Sequence, residues 1–330
     1  MVYFIVDTIF ISIAACKEEF LAQTIKSATA NADHPELLYF GISNMVIDQE
    51  DFVTDPVFNQ PNIQCLEIKH KEALGTGFGR MTASLMVDRD HTYLLQVDAQ
   101  NIFEKGWDTE LKNYYTDILK VCDKPIISNC PTRWIEGPNK EVHLYEEDGP
   151  IVDPYNFKTT QTFSSLGIKI YHKEDKSNDG VFERYASIEG SHYKWSDEED
   201  FLEHGLIHAS FMFTDFNFTR DVMHDPKNPW DGDQINLSFR AGTRGYRVFG
   251  IKNCLVWSKD KYSRKGKLIS DYDWRKVPRG SISLYNEKKS REFQVKIFSG
   301  EYLGYWGAPT KDSIELYYKS LGIDLSEYFI

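Results

Sequence analysis

Apolar runs of strand length alternate with amphipathic stretches of helix length through the first 130 residues, and that alternation leaves few folds open. Residues 9–15 predict a buried strand, and residues 18–30 a helix with Leu21, Ile25 and Ala28 at helical spacing. Further strands are expected at residues 37–42, 63–68, 93–97 and 125–128, and helices at residues 80–87 and 109–121. Gly75-Thr76-Gly77-Phe78-Gly79 reads as a loop opening the first of these helices. Parallel neighbours need a crossover, so this order predicts an α/β fold with a mostly parallel, Rossmann-like central sheet flanked by helices.

After Cys130-Pro131 the character changes. Residues 131–200 hold turn residues, aromatics and the acidic run Ser196-Asp197-Glu198-Glu199-Asp200, which suggests loops and edge strands laid over the sheet. An apolar strand is expected at residues 206–213, a helix at residues 234–241 and two short strands within residues 246–257. No run of about 18 apolar residues occurs, so no membrane span is expected. The five scattered cysteines form no CxxC pair, which points to reduced thiols and a cytoplasmic setting.

The net charge of −12 argues against a surface that binds polyanions throughout, yet it is unevenly spread. Residues 244–296 carry 15 Lys and Arg against 5 Asp and Glu, a local +10, and leave −22 for the rest. Such asymmetry marks a phosphate- or nucleic-acid-binding face, or a basic segment that neutralises acidic neighbours on folding.

One strand delivers chemistry. The run Tyr93-Leu94-Leu95-Gln96-Val97 ends in Asp98-Ala99-Gln100, with Trp107-Asp108 following on a helix start. Ligands of open α/β sheets bind outside the carboxyl ends of the strands, and an acid there can hold a divalent cation against a diphosphate. The plainer alternative is a strand running into an Asp-initiated turn.

Ordered blocks along the chain favour the first reading. The strand of residues 9–15 with Thr24-Ile25, then Gly79-Arg80, then Leu95-Gln96-Val97-Asp98-Ala99-Gln100 with Trp107-Asp108, then Gly232-Asp233-Gln234-Ile235 through Arg240 and Gly245-Tyr246, follow in turn. This set resembles the cytosolic polypeptide N-acetylglucosaminyltransferases that act on hydroxyproline, relatives of the mucin-type GalNAc-transferases, over about residues 9–260. The resemblance implies a GT-A fold, a UDP-sugar donor, Mn²⁺ or Mg²⁺, and transfer with retention. Residues 1–260 would then form the catalytic domain, with a nucleotide-sugar half to residue 130 and an acceptor half beyond it. Residues 261–330 would be a basic, aromatic extension packed on it.

The resemblance also implies roles. Asp98 would anchor the cation, Arg80 would hold that carboxylate or a phosphate oxygen, and Ser12, Ala14, Ala15 and Trp257 would line the donor pocket. Asp233 would face the sugar or acceptor as a second catalytic acid, or else serve as an N-terminal helix acid, with Asp231 the simpler cap. Family members carry a histidine where Gln100 stands, and another where Leu255 or Val256 precedes Trp257. The metal set would then be Asp98, Gln100 and the donor's phosphates, with His208 as a further ligand or as an ordinary core histidine.

For the acceptor, two hydroxyls compete. Arg264, Lys265, Lys267, Trp274 and Arg275 interleave cations with aromatics, which suits backbone contact and base stacking and favours a 5-hydroxymethylcytosine-type base in DNA, as in phage-type glucosyl- or arabinosyltransferases of a host cytoplasm. Trp107 joins that acceptor set. The alternatives are a hydroxyproline on a polypeptide, or a non-catalytic module that binds sugar nucleotide or nucleic acid.

Overall fold

The computed structural model describes residues 7–16, 18–46, 53–69, 72, 74–87, 91–129, 131–136, 142–144, 168–174, 182–188, 200–205, 207–226, 233–259 and 296–320. In chain order the main elements are β1 (Ile9–Cys16), α1 (Leu21–Asn31), β2 (Leu38–Val46), β3 (Ile63–Lys69), α2 (Thr76–Ser84), β4 (Tyr93–Asp98), β5 (Asn101–Phe103), α3 (Trp107–Ile118), β6 (Pro125–Ile127) and β7 (Thr132–Glu136). There follow β8 (Val142–Leu144), β9 (Ile168–Glu174), β10 (Phe182–Ile188), β11 (Phe201–His204), β12 (Phe211–Asp215), α4 (Phe218–Asp221), α5 (Asp233–Gly242), β13 (Arg247–Ile251), β14 (Val256–Lys259) and α6 (Lys311–Ser320).

Eight strands form the large sheet in the order β11-β13-β6-β12-β4-β1-β2-β3. The half built from β4, β1, β2 and β3 is parallel throughout, as the strand–helix alternation predicts. β12 enters antiparallel between β4 and β6, and β11 closes the other edge antiparallel to β13. A second sheet, β5-β14-β7-β8, and an antiparallel pair of β9 and β10 account for the remaining strands among the described residues. The mixed α/β architecture with a mostly parallel centre is the expected class.

The sheet is buried on both faces, and the period of two sorts its side chains. Ile9, Ile11 and Ile13 of β1, Leu95 and Val97 of β4, and Phe211 and Phe213 of β12 belong to one core with α1 and α3. Phe10, Leu94, Met212 and Ile126 belong to the opposite core, with Phe218, Leu237 and Ala241. Burying one Ile or Leu contributes about 1.5–3 kcal/mol, so each strand contributes to two cores at once.

Some boundaries move. α2 begins at Thr76, so Gly77 and Gly79 lie inside the helix and the expected loop contracts to Gly75, whose φ of 114° suits glycine. Gly79 serves close packing instead: a Cβ there would stand 3.3 Å from both Ala14 Cβ and Met45 Cε. The strand expected at residues 206–213 begins later, at Phe211. In the C-terminal stretch, Phe298, Tyr317 and Tyr318 pack around Phe239 of α5, and Arg244 donates to the carbonyls of Gly304, Tyr305 and Gly307. Among the described residues no helix is long and apolar enough to cross a membrane.

Candidate active site

β1 and β4 run parallel with Ala14 opposite Asp98, which places the acid at the carboxyl edge of the parallel half. The pleat puts Leu94, Gln96 and Asp98 on one face, the face that α2 and α5 cover. The Asp98 backbone N–H donates to the Ser210 carbonyl at 3.3 Å, and its side chain is 30% exposed. Its main chain is held by the sheet while its carboxylate opens to solvent.

Arg80 reaches this edge from α2. Its Nη1 donates to Asp233 Oδ2 at 2.6 Å, and its Nη2 to Asp98 Oδ1 at 3.4 Å. The guanidinium is thus committed to Asp233 and touches Asp98 loosely. Asp233 opens α5 and is 4% exposed, and its other oxygen meets His224 Nδ1 at 3.1 Å. His224 Nε2 lies 2.6 Å from Gln96 Oε1, and Gln96 Nε2 donates to the Ala209 carbonyl at 2.7 Å. Burial pushes Asp233 up, but His224 and Arg80 outweigh it and hold the carboxyl far below the usual carboxylate range.

Arg80, Asp98 and Asp233 are therefore brought together, although 153 residues separate Arg80 from Asp233. An Asp233 free to face sugar or acceptor is not what the fold presents, since each of its oxygens already has a partner. His224 and Gln96 complete the chain, and sequence reasoning singled out neither. The available signal was Gln96 itself: an amide in the middle of an apolar strand must find buried partners.

Gln100 and His208, the expected companions of Asp98, each have hydrogen-bond partners of their own. Gln100 is buried, and its main-chain carbonyl accepts from the Lys259 N–H at 3.0 Å and from Trp134 Nε1 at 3.2 Å. His208 points its Nδ1 at Ser210 Oγ, and its backbone N–H donates to Ser128 Oγ. Among the described residues no group of three His, Cys, Asp or Glu side chains is placed to hold a metal ion. The donor set fits a cation bound through one carboxylate and ligands that a substrate brings. Nearby, burial pushes the His204 imidazole down to about 4 while its Nε2 faces the Ser128 carbonyl at 2.8 Å.

The other expected residues divide. Ala14 is half-buried beside Asp98, whereas Ser12 is sealed with its Oγ 3.2 Å from Ser84 Oγ, and Ala15 is sealed as well. Trp257 is half-buried on β14, its indole nitrogen without a hydrogen-bond partner among the described residues. Trp107 does not present itself to an acceptor: it is fully buried, its Nε1 donates to the Ala28 carbonyl at 3.0 Å, and its ring packs on Phe103. Arg264, Lys265, Lys267, Trp274, Arg275 and Asp231 lie outside the described residues.

Three comparisons bear on this geometry. A family model described as Glycosyltransferase (GlcNAc) matches residues 45–292. No curated protein sequence is significantly similar to this chain. Among solved structures, GalNAc-T7 with UDP, GalNAc and Mn²⁺ is similar with a TM-score of 0.51 at 12% identity, over 97% of this chain and 56% of that one. S. aureus TarS is more distant, with a TM-score of 0.41 at 11% identity over 77% of this chain and 37% of that one. At these identities the GalNAc-T7 likeness shows a common GT-A fold, and this chain spans little more than half the length of that relative.

Proposed function

The chain belongs to the Glycosyltransferase (GlcNAc) family, and on that premise we propose that it transfers a sugar from a UDP-sugar to a hydroxyl acceptor at the carboxyl edge of β1 and β4. The observation that carries the reading is the placement of Asp98: a solvent-open carboxylate at that edge, steadied by an arginine that is itself locked elsewhere. Asp98 would hold a divalent cation, Mn²⁺ or Mg²⁺, on the donor's phosphates. The bound cation would neutralise negative charge developing on the departing diphosphate. Arg80 keeps the Asp98 carboxylate aimed without claiming both of its oxygens. Gln100 would assist Asp98 at a loosely held metal, with His208 as the alternative ligand.

Retention at the anomeric carbon and a cytoplasmic working place follow from the family resemblance and the scattered thiols. For the acceptor, the +10 stretch over residues 244–296 favours a hydroxymethylated base in DNA over a protein hydroxyproline. The test is a panel of UDP-sugars with and without Mn²⁺, read as released UDP. Turnover with one donor, raised further by hydroxymethylated DNA, supports the reading. Absence of donor binding by calorimetry, with metal and without, overturns transfer. A flat response to DNA, with DNA binding unchanged in Lys265→Glu/Lys267→Glu, overturns that acceptor and favours the polypeptide.

A further inference from the structure

We infer that His224 is a doubly protonated imidazolium and a positioning residue for transfer: it fixes Asp233, which fixes Arg80 against Asp98. The role rests on the transfer reading; the charge state rests on hydrogen-bond chemistry alone.

The reasoning starts at Gln96. Its Nε2 lies 2.7 Å from the Ala209 carbonyl oxygen, which can only accept, so the amide nitrogen must face that oxygen. Flipping the amide would set two oxygens against each other there. Gln96 Oε1 is therefore the atom that meets His224 Nε2 at 2.6 Å, and it too can only accept. His224 Nε2 must carry a proton. On the other side of the ring, Nδ1 lies 3.1 Å from an oxygen of Asp233, a carboxylate kept ionised by the Arg80 guanidinium 2.6 Å from its other oxygen. An ionised carboxylate is acceptor-only, so Nδ1 must carry a proton as well. A neutral ring would oppose lone pairs at one end or the other, inside a site where His224 and Asp233 are each 4% exposed and no solvent relieves the clash.

The result is a chain of alternating charge: Asp98 minus, Arg80 plus, Asp233 minus, His224 plus. Asp233 then carries one cation on each oxygen, as a buried carboxylate requires. Its plane cannot turn without breaking one of them, and the guanidinium it holds is fixed in consequence. The imidazole is aimed by its own segment: Arg240, fully buried on α5, donates through Nη2 to the carbonyl of Met223, the preceding residue. The next residue, Asp225, is buried and faces the Arg240 charge. Among the described residues, the other group hydrogen-bonded to the ring is the neutral Gln96 amide.

The test uses the full chain with ¹⁵N-labelled histidine rings at pH 7.5. Both ring nitrogens of His224 are expected to give protonated signals, assigned by their loss in His224→Gln or, should that variant not fold, by their shift in Asp233→Asn. An unprotonated nitrogen on this ring overturns the inference. In the second arm, His224→Gln is expected to lower kcat for UDP release about tenfold while donor affinity changes less than about twofold, a loss of positioning without loss of binding. An unchanged kcat overturns the positioning role. If the wild type releases UDP from no donor, transfer fails, and the ring nitrogens still decide whether His224 is charged.

Discussion

Arg80 with Asp233 and Arg247 with Glu203 are the same chemistry in two settings. The first pair is 12% and 5% exposed, the second 47% and 43%. Arg247 and Glu203 sit on β13 and its partner, the edge strand β11, where water solvates both charges and salt screens them. Arg80 and Asp233 meet between two helices over the sheet, with Asp98 and His224 extending the pair in both directions. The difference teaches where an ion pair can organise a site. Only a desolvated pair holds its partners rigidly, and only there does losing one member strand the other.

The largest expected effect breaks the buried pair. Asp233→Asn leaves Arg80 and His224 without their common anion and is expected to cost about 3–5 kcal/mol of stability, read as a lower urea midpoint. The pH dependence has a definite sign. Asp233 is depressed in the fold, so its contribution is complete above the unfolded carboxylate value of about 3.9 and is lost as pH falls below it. The variant's stability should therefore fall less steeply in acid than the wild type's. A variant as stable as the wild type would show that the buried pair behaves like the exposed one.

A gentler change sharpens the comparison. Arg80→Lys keeps the charge but cannot span two carboxylates in a plane, and about a tenfold fall in kcat/KM for UDP release is expected with the fold intact. Equal activity would mean that Arg80 acts as a point charge. His204 supplies an internal control on burial. Its folded value of about 4 lies below the unfolded value of about 6.5, so the unfolded chain takes up more protons between them. Stability should decline as pH falls from about 6.5 to 4, and His204→Gln should flatten that stretch of the urea-midpoint profile. The smallest effect belongs to the edge: Arg247→Ala is expected to change stability by no more than about 0.5 kcal/mol, and less in high salt.

Sequence and structure agree best where a pattern is local. The strands holding Ile9, Leu95 and Ile127 are legible because a period of two or an apolar run marks them, and Asp98 is legible because it ends such a run. The pairing of Arg80 with Asp233 is not local, and no period links residues so far apart. His224 sits among Met223, Asp225 and Pro226, a stretch with no period that would mark its ring as buried. Trp107 misled in the opposite direction, because a tryptophan at a helix start beside an acid motif suits a binding face and a core equally well. Asp108 beside it is equally structural: its carboxylate accepts from the backbone N–H groups of Asp33 and His34. Gly79 of α2 resembles a loop residue in sequence and is explained only by Ala14 and Met45 pressed against it.

The most direct measurement of the central claim is UDP release by Asp98→Asn beside the wild type, with the preferred UDP-sugar and Mn²⁺ and with thermal melting as the check on folding. A loss of at least about a thousandfold at an unchanged melting temperature is the predicted result, since an amide in place of the carboxylate removes the negative charge that holds the cation to the diphosphate. Full turnover by the Asp98→Asn variant would contradict the account and move the reaction away from this strand end.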